Sequence, residues 1–218
     1  THVAGLAAGN GYMFGGNSIV EAVRGMFPDN ACSLICLGTA PKANIAALKA
    51  LDGEGNGNTS DILAAMQWVA DNHQKYNIRV LNLSLGIDAA SFDIDGDGVD
   101  DMTDPLVLGA NALVNMGITI VVAAGNSGPK AGSITSPGTS PYVITVGSVN
   151  SNGEVPEFSS RGPTATGAIK PDLLAPGMDV LSLDAKTNKQ YIRQSGTSMS
   201  APAVAGAAAC LHAANPRL

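Results

Sequence analysis

Positive charge is scarce in this 218-residue chain: 12 Lys and Arg stand against 18 Asp and Glu, for a net charge of −6. With no basic stripe and acidic residues gathered between Asp93 and Asp104, the balance argues against nucleic acid or any other polyanion as a partner. Charged residues of both signs reach only 14% and aromatics 4%, while hydrophobic residues make up 45% and glycines number 26. Such a composition excludes a disordered or coiled-coil chain and describes a turn-rich globule with a substantial core. No apolar run approaches the roughly 20 residues of a membrane span. No charged n-region with an apolar h-region opens the sequence, although Thr1 leads straight into an apolar segment and the start reads as a cut end. Cys32, Cys36 and Cys210 are an odd set whose spacing fits no zinc pattern, and His2, His73 and His212 lie too far apart in sequence to complete one. Cys210 reads as a core residue, whereas Cys32 and Cys36 either pair across a short loop or stay free. With neither an internal repeat nor a dividing linker, residues 1–218 are expected to form one domain.

Strand and helix signals alternate along the chain. Thr1–Ala8 reads as a short buried helix closed by Gly9-Asn10-Gly11. Residues 15–37 read as an insertion, with a helix from Ser18 to Met26. Ala43–Leu51 is apolar and unalternating, as a strand buried on both faces would be. Beyond a glycine-rich loop, Thr59 or Ser60 is expected to cap a helix running to about His73. Val80–Leu85 is the next strand. Asp104-Pro105 opens a helix through Asn115, Ile118–Ala123 is a strand, and Tyr142–Val146 is another. A last helix begins near Ser198. The expected fold is α/β in three layers, a mostly parallel sheet with helices on both faces, whose sites gather at the carboxyl ends of the strands.

Two strand ends and the mouth of the last helix carry residues suited to chemistry. Ser195-Gly196-Thr197-Ser198-Met199-Ser200-Ala201-Pro202 puts small hydroxyl residues at the mouth of the last helix, where unpaired N–H groups and the dipole favour a developing anion. Read locally, Ser198 is a nucleophile or, with Ser200, merely an N-cap. Asn126, in Ala123-Ala124-Gly125-Asn126, is an oxyanion donor or an ordinary turn asparagine. Ser84-Leu85-Gly86 ends a strand on a glycine, where an extended peptide can approach.

Together these stretches resemble the subtilisin-like serine peptidases, the subtilase family. Gly196–Pro202 is similar to the family's nucleophile motif, with Ser200 where Ala is common; Ala123–Asn126 is similar to its oxyanion segment and Ser84–Gly86 to its substrate-binding strand. Ala40-Pro41, Phe158–Pro163 and Lys170–Gly177 follow as further landmarks in family order. The Gly-x-Ser-x-Gly elbow of α/β-hydrolases is not met, because Ser200 holds its last position. The resemblance implies that Ser198 attacks a peptide carbonyl, that Asn126 and the Ser198 N–H bind the oxyanion, that Ser84, Leu85 and Gly86 pair with the substrate backbone, and that Ala124 and Gly125 line its pocket. It also implies a polypeptide substrate, no cofactor for the chemistry, and secretion or display at the cell surface. Thr1 aligns with the Thr of the family's His-Gly-Thr-His-Val-Ala-Gly motif, so His2 matches the second histidine. The general base and the catalytic Asp are then expected outside this sequence, in an N-terminal portion of the same domain, and this chain by itself is expected to be inactive. His2 is read as structural, because two positions along a helix turn a side chain roughly 200° away. The competing class is a non-catalytic peptide-binding or scaffold protein.

A second site is expected at Asp93–Asp104, most of it within the other probable insertion, residues 87–103. Asp93, Asp95, Asp97, Val99, Asp101 and Asp104 fall at positions 1, 3, 5, 7, 9 and 12 of an EF-hand-type calcium loop, with Gly98 at 6. Asp at 12 in place of Glu, and Asp100 at 8, depart from the pattern. The loop holds structural calcium or is a solvated acidic turn, and Asp104 has the competing role of cap to the helix at Pro105.

Overall fold

The computed structural model describes residues 1–9, 12–13, 17–18, 37–89, 104–186 and 191–218. Its elements run α1 (His2–Ala8), β1 (Tyr12–Met13), β2 (Asn17–Ser18), α2 (Thr59–Tyr76), β3 (Val80–Leu83), α3 (Pro105–Asn115), β4 (Thr119–Ala123), β5 (Ile144–Val149), β6 (Leu173–Pro176), β7 (Val180–Leu183), β8 (Tyr191–Gln194) and α4 (Thr197–Ala214). Strands β3 to β6 form one parallel sheet in chain order, with Val80 opposite Thr119, Val121 opposite Ile144 and Val146 opposite Leu173. β1–β2 and β7–β8 are antiparallel pairs.

The layering follows from the two-residue period of β4. Ile120 and Val122 join Ile62, Met66 and Val69 of α2 and Leu106, Ala110 and Leu113 of α3 in one core. Val121 and Ala123 point the other way, to Val146, Ala175 and the Ala201 and Ala205 of α4. Both faces of the sheet are thus covered, which is why its strands read as unbroken apolar runs. α3 begins where expected because Asp104 Oδ1 accepts from the N–H groups of Leu106, at 2.8 Å, and Val107, at 3.4 Å, ahead of a proline at the first helical position. The Lys170-Pro171-Asp172 landmark is a fastener. The buried Lys170 ammonium donates to Val143 O at 2.9 Å and to Asp172 Oδ2 at 2.6 Å, while Asp172 also accepts from Thr145 N at 2.7 Å.

Several expectations change. Ala43–Leu51 is not a buried strand: Ala43–Lys49 is exposed and no described strand pairs with it, so its apolar side chains gain no sheet neighbours. The cap of α2 is Asn58 rather than Thr59 or Ser60, and its side chain donates to Asp61 Oδ2 at 3.2 Å instead of accepting from the helix. β3 stops at Leu83, and the strand expected at Tyr142–Val146 lies at Ile144–Val149. Cys210 is exposed, because α4 buries Ala201, Ala205 and Ala208 on a stripe that Cys210 lies off. Ser18 lies in β2; the rest of the Ser18–Met26 helix, Cys32 and Cys36 fall outside the described residues. Among the described residues, no helix is long and apolar enough to cross a membrane.

Candidate active site

Gly196, with a φ of 151°, precedes α4 and contributes no side-chain cap, so neither Ser198 nor Ser200 is the N-cap. Ser198 is instead the second residue of the helix, half-buried, in the turn whose N–H groups have no intrahelical acceptor. Its Oγ donates to the Ser84 carbonyl at 3.3 Å, and Ser84 Oγ donates back to the Ser198 carbonyl at 2.9 Å. Ser200 faces the opposite way. Fully buried, it donates to Ala175 O at 3.0 Å, which explains how a hydroxyl is accommodated where the family commonly has Ala.

Asn126 stands where β4 has ended, and its amide is held at one side only. Oδ1 accepts from Thr197 N at 2.9 Å and from Thr197 Oγ1 at 3.1 Å, while no described group engages Nδ2. The backbone beneath is clamped on both flanks. Gly125 N donates to Thr197 Oγ1 at 3.1 Å, Ser160 N donates to Gly125 O at 3.1 Å, and Ser127 N donates to Ser160 Oγ at 3.1 Å. The Phe158–Pro163 landmark is therefore the support of the Asn126 loop. Gly125 has a φ of +105°, and a Cβ there would lie 2.7 Å from Thr135 Cγ2 and 2.8 Å from Ser160 Oγ.

A cavity of about 190 Å³ lies at this junction, lined by Leu85, Gly86, Ala123, Gly125, Asn126, Ser127, Thr135, Thr197 and Ser198. It brings together five of the seven residues expected at the catalytic and substrate-binding site. Ser84 lies outside the lining but touches Ser198 as described. Ala124 is wholly buried and forms no wall; its carbonyl accepts from Thr135 N at 3.0 Å. A Cβ on Gly86 would overlap Thr135 Oγ1, so two glycines leave room for the one side chain that stands between them. The local motifs carried no sign of Thr135 or Thr197 as site residues. Thr197 sits inside the nucleophile motif, but its bonds reach 71 and 72 residues away.

None of the three histidines bonds Ser198. His2 is buried at the start of α1, its Nε2 shared between Val180 O at 3.2 Å and Ile192 O at 3.1 Å, with Nδ1 unpartnered. Burial, the largest effect, holds its imidazole below the ordinary histidine value. His73 bonds Ala70 O at 2.8 Å and His212 bonds Thr119 Oγ1 at 2.9 Å. Of the expected calcium ligands, Asp93, Asp95, Asp97, Val99 and Asp101 lie outside the described residues, and Asp104 gives its Oδ1 to the cap of α3. The described residues contain no group of three or more His, Cys, Asp and Glu suited to a metal ion.

A parallel α/β sandwich with a helix-mouth serine at the carboxyl edge of its sheet, facing a strand-end amide, defines a protein of the subtilisin-like fold. The chain belongs to the subtilase family, peptidase S8, whose model matches residues 1–218. It is similar to the serine protease AprX of Bacillus subtilis (strain 168), 38% identical over 203 residues covering 83% of this chain and 45% of that one. Subtilisin Savinase of Lederbergia lenta is 33% identical over 184 residues, 84% of this chain and 59% of its own. The solved structure of sphericase superposes with a TM-score of 0.77 at 31% identity, covering 100% of this chain and 64% of the other. The chain spans less than two thirds of the length of these relatives, and 45% of AprX.

Proposed function

We propose that this chain is the nucleophile-bearing and substrate-binding portion of a serine endopeptidase. The observation that carries the reading is Asn126: its oxygen is tied back to Thr197, which leaves its Nδ2 as a donor beside the Ser198 hydroxyl on the rim of one cavity. In this reading Ser198 Oγ forms a bond to the carbonyl carbon of a polypeptide. The carbonyl oxygen takes up negative charge and receives hydrogen bonds from Asn126 Nδ2 and the Ser198 N–H. Collapse breaks the C–N bond, the serine proton passes by way of a general base to the leaving amine, and water then hydrolyses the acyl-enzyme. The substrate strand runs along Ser84–Gly86, with its side chain in the cavity beside Gly86 and Gly125.

That base is none of the three histidines here, for each is held by other partners. The reading therefore calls for a general base other than His2, His73 and His212. Action outside the cell, on a polypeptide, belongs to the same proposal. Calcium bound by the 93–104 segment is a separate proposal, resting on its ligand spacing alone.

Labelling of the full-length protein by a fluorophosphonate tests the reading. Labelling that is lost in Ser198→Ala is expected; a folded, unreactive protein overturns the peptidase in favour of a non-catalytic peptide-binding protein.

A further inference from the structure

Helix α4 contains a proline at position 202. In an α-helix the carbonyl of each residue accepts from the N–H four positions on, and a proline has no N–H to give and crowds that carbonyl. The carbonyl so deprived is that of Ser198. The donor that arrives comes from 114 residues away: Ser84 Oγ, at 2.9 Å. Asn82 Nδ2 donates to that same Oγ at 2.9 Å, which occupies one of its two lone pairs and leaves its single proton for Ser198 O. The return bond, from Ser198 Oγ to Ser84 O at 3.3 Å, closes a two-way clasp between the end of β3 and the mouth of α4.

We propose that Ser84 is a positioning residue, whose hydroxyl supplies the hydrogen bond that Pro202 withholds from the Ser198 carbonyl and so holds the nucleophile's turn of helix in place. Sequence reasoning assigned Ser84 only a backbone role toward substrate. The inference rests on the reading of Ser198 as nucleophile and adds a side-chain function to it. It also ties two motifs with no sequence proximity: a proline inside a helix costs a hydrogen bond, and the serine at the strand end restores it.

A double-mutant cycle in the full-length protein tests this, because Pro202→Ala returns an N–H to the fourth position after Ser198. The readout is the rate of fluorophosphonate labelling of wild type, Ser84→Ala, Pro202→Ala and the double variant, each counted per folded molecule from its denaturant curve. Ser84→Ala is expected to slow labelling about tenfold when Pro202 is present, through misplacement of the nucleophile. In the Pro202→Ala background the same change is expected to cost less than about twofold. Ser84→Thr, which keeps the hydroxyl, is expected to recover most of the rate lost in Ser84→Ala. Equal slowing in both backgrounds overturns the proposal, since a role toward substrate or in general packing would not depend on residue 202. Should Ser84→Ala fail to fold, recovery of folding and labelling in the double variant supports the clasp, and failure of both variants overturns it. A wild type that folds but does not label rejects the nucleophile reading instead. The cycle is then read from denaturant midpoints, where additive effects reject the clasp.

Discussion

Thr197 was not legible as a site residue, and its hydroxyl joins the two halves of the site. Replacing it with Val keeps shape and volume close to the original, so little cavity energy enters, while two interactions are lost. Gly125 N–H loses its acceptor at 3.1 Å in a half-buried position. A buried donor left unpaired costs about 1–3 kcal/mol, the upper part of which would require full exclusion of water. Asn126 Oδ1 loses the hydroxyl at 3.1 Å but keeps Thr197 N at 2.9 Å, so this second loss is the smaller. The expected destabilisation is therefore about 1–3 kcal/mol, equivalent to a fall of roughly 2–12 °C in Tm for a domain of this size. Denaturant unfolding of the full-length protein measures it, with Thr197→Ser, which retains the hydroxyl, expected near wild type. A Thr197→Val variant within about 0.5 kcal/mol of wild type, the range of an ordinary surface substitution, would refute the argument that the Gly125 N–H depends on this hydroxyl.

The other predictions separate roles in the same way. Asn126→Asp preserves an oxygen for the Thr197 N–H but replaces the Nδ2 donor with an anion, so labelling at Ser198 should fall while stability changes little; a fall in stability without a change in labelling would assign Asn126 to scaffolding alone. Removing one such donor from a subtilisin, a member of this same family, costs about 10²–10³ in kcat, or about 2.7–4 kcal/mol, a magnitude taken over from that enzyme and not worked out from this structure. His2, held below the ordinary histidine value near 6.5 chiefly by burial, takes up its proton more readily when unfolded, so stability should decline as pH falls below about 6.5. His212 adds to the decline in the same direction, by burial first and the Arg79 charge second. His2→Gln should flatten part of that slope, and an unchanged slope would show that His2 does not contribute to it. Added calcium should raise Tm in the full-length protein, and the rise should vanish in Asp95→Ala with Asp97→Ala; no rise in the unsubstituted protein would count the 93–104 segment as a solvated turn.

What could be read in the sequence about the fold divides by how local the cause is. The helix at Pro105–Asn115 was placed to the residue because its start is self-contained: a carboxylate, a proline and two N–H groups within three positions. Ala43–Leu51 failed for the converse reason. An apolar run says that a segment would profit from burial, but a strand exists only where another strand offers its backbone, and none of the described strands does so here. Cys210 failed through phase. α4 is apolar on nearly every side, so composition could not tell which stripe meets the sheet, and Cys210 is off the line of Ala201, Ala205 and Ala208.

At the site, the motifs located the residues but not their division of labour. A helix is ordinarily capped by its own neighbours, and the local pattern offers Ser198 and Ser200 as caps. The residue before α4 is a glycine, and the carboxamide oxygen of Asn126 accepts from the first helical N–H across 71 residues. At the next residue the carbonyl orphaned by Pro202 is met by Ser84 across 114. Two backbone groups at the mouth of the helix, in its first turn, are thus completed by side chains from strand ends, the points where a parallel α/β sheet delivers its loops. This arrangement accounts for the residue types as well as their positions. On the proposed reading, an amide suits 126 because one atom accepts from the helix while the other stays a donor, and a hydroxyl suits 84 because one atom accepts from Asn82 and donates to Ser198. Ser198 is left as the one residue of that turn whose hydroxyl is not required by the scaffold, since the bond it makes, to Ser84 O at 3.3 Å, is the longest of the set and can be given up to an incoming reactant.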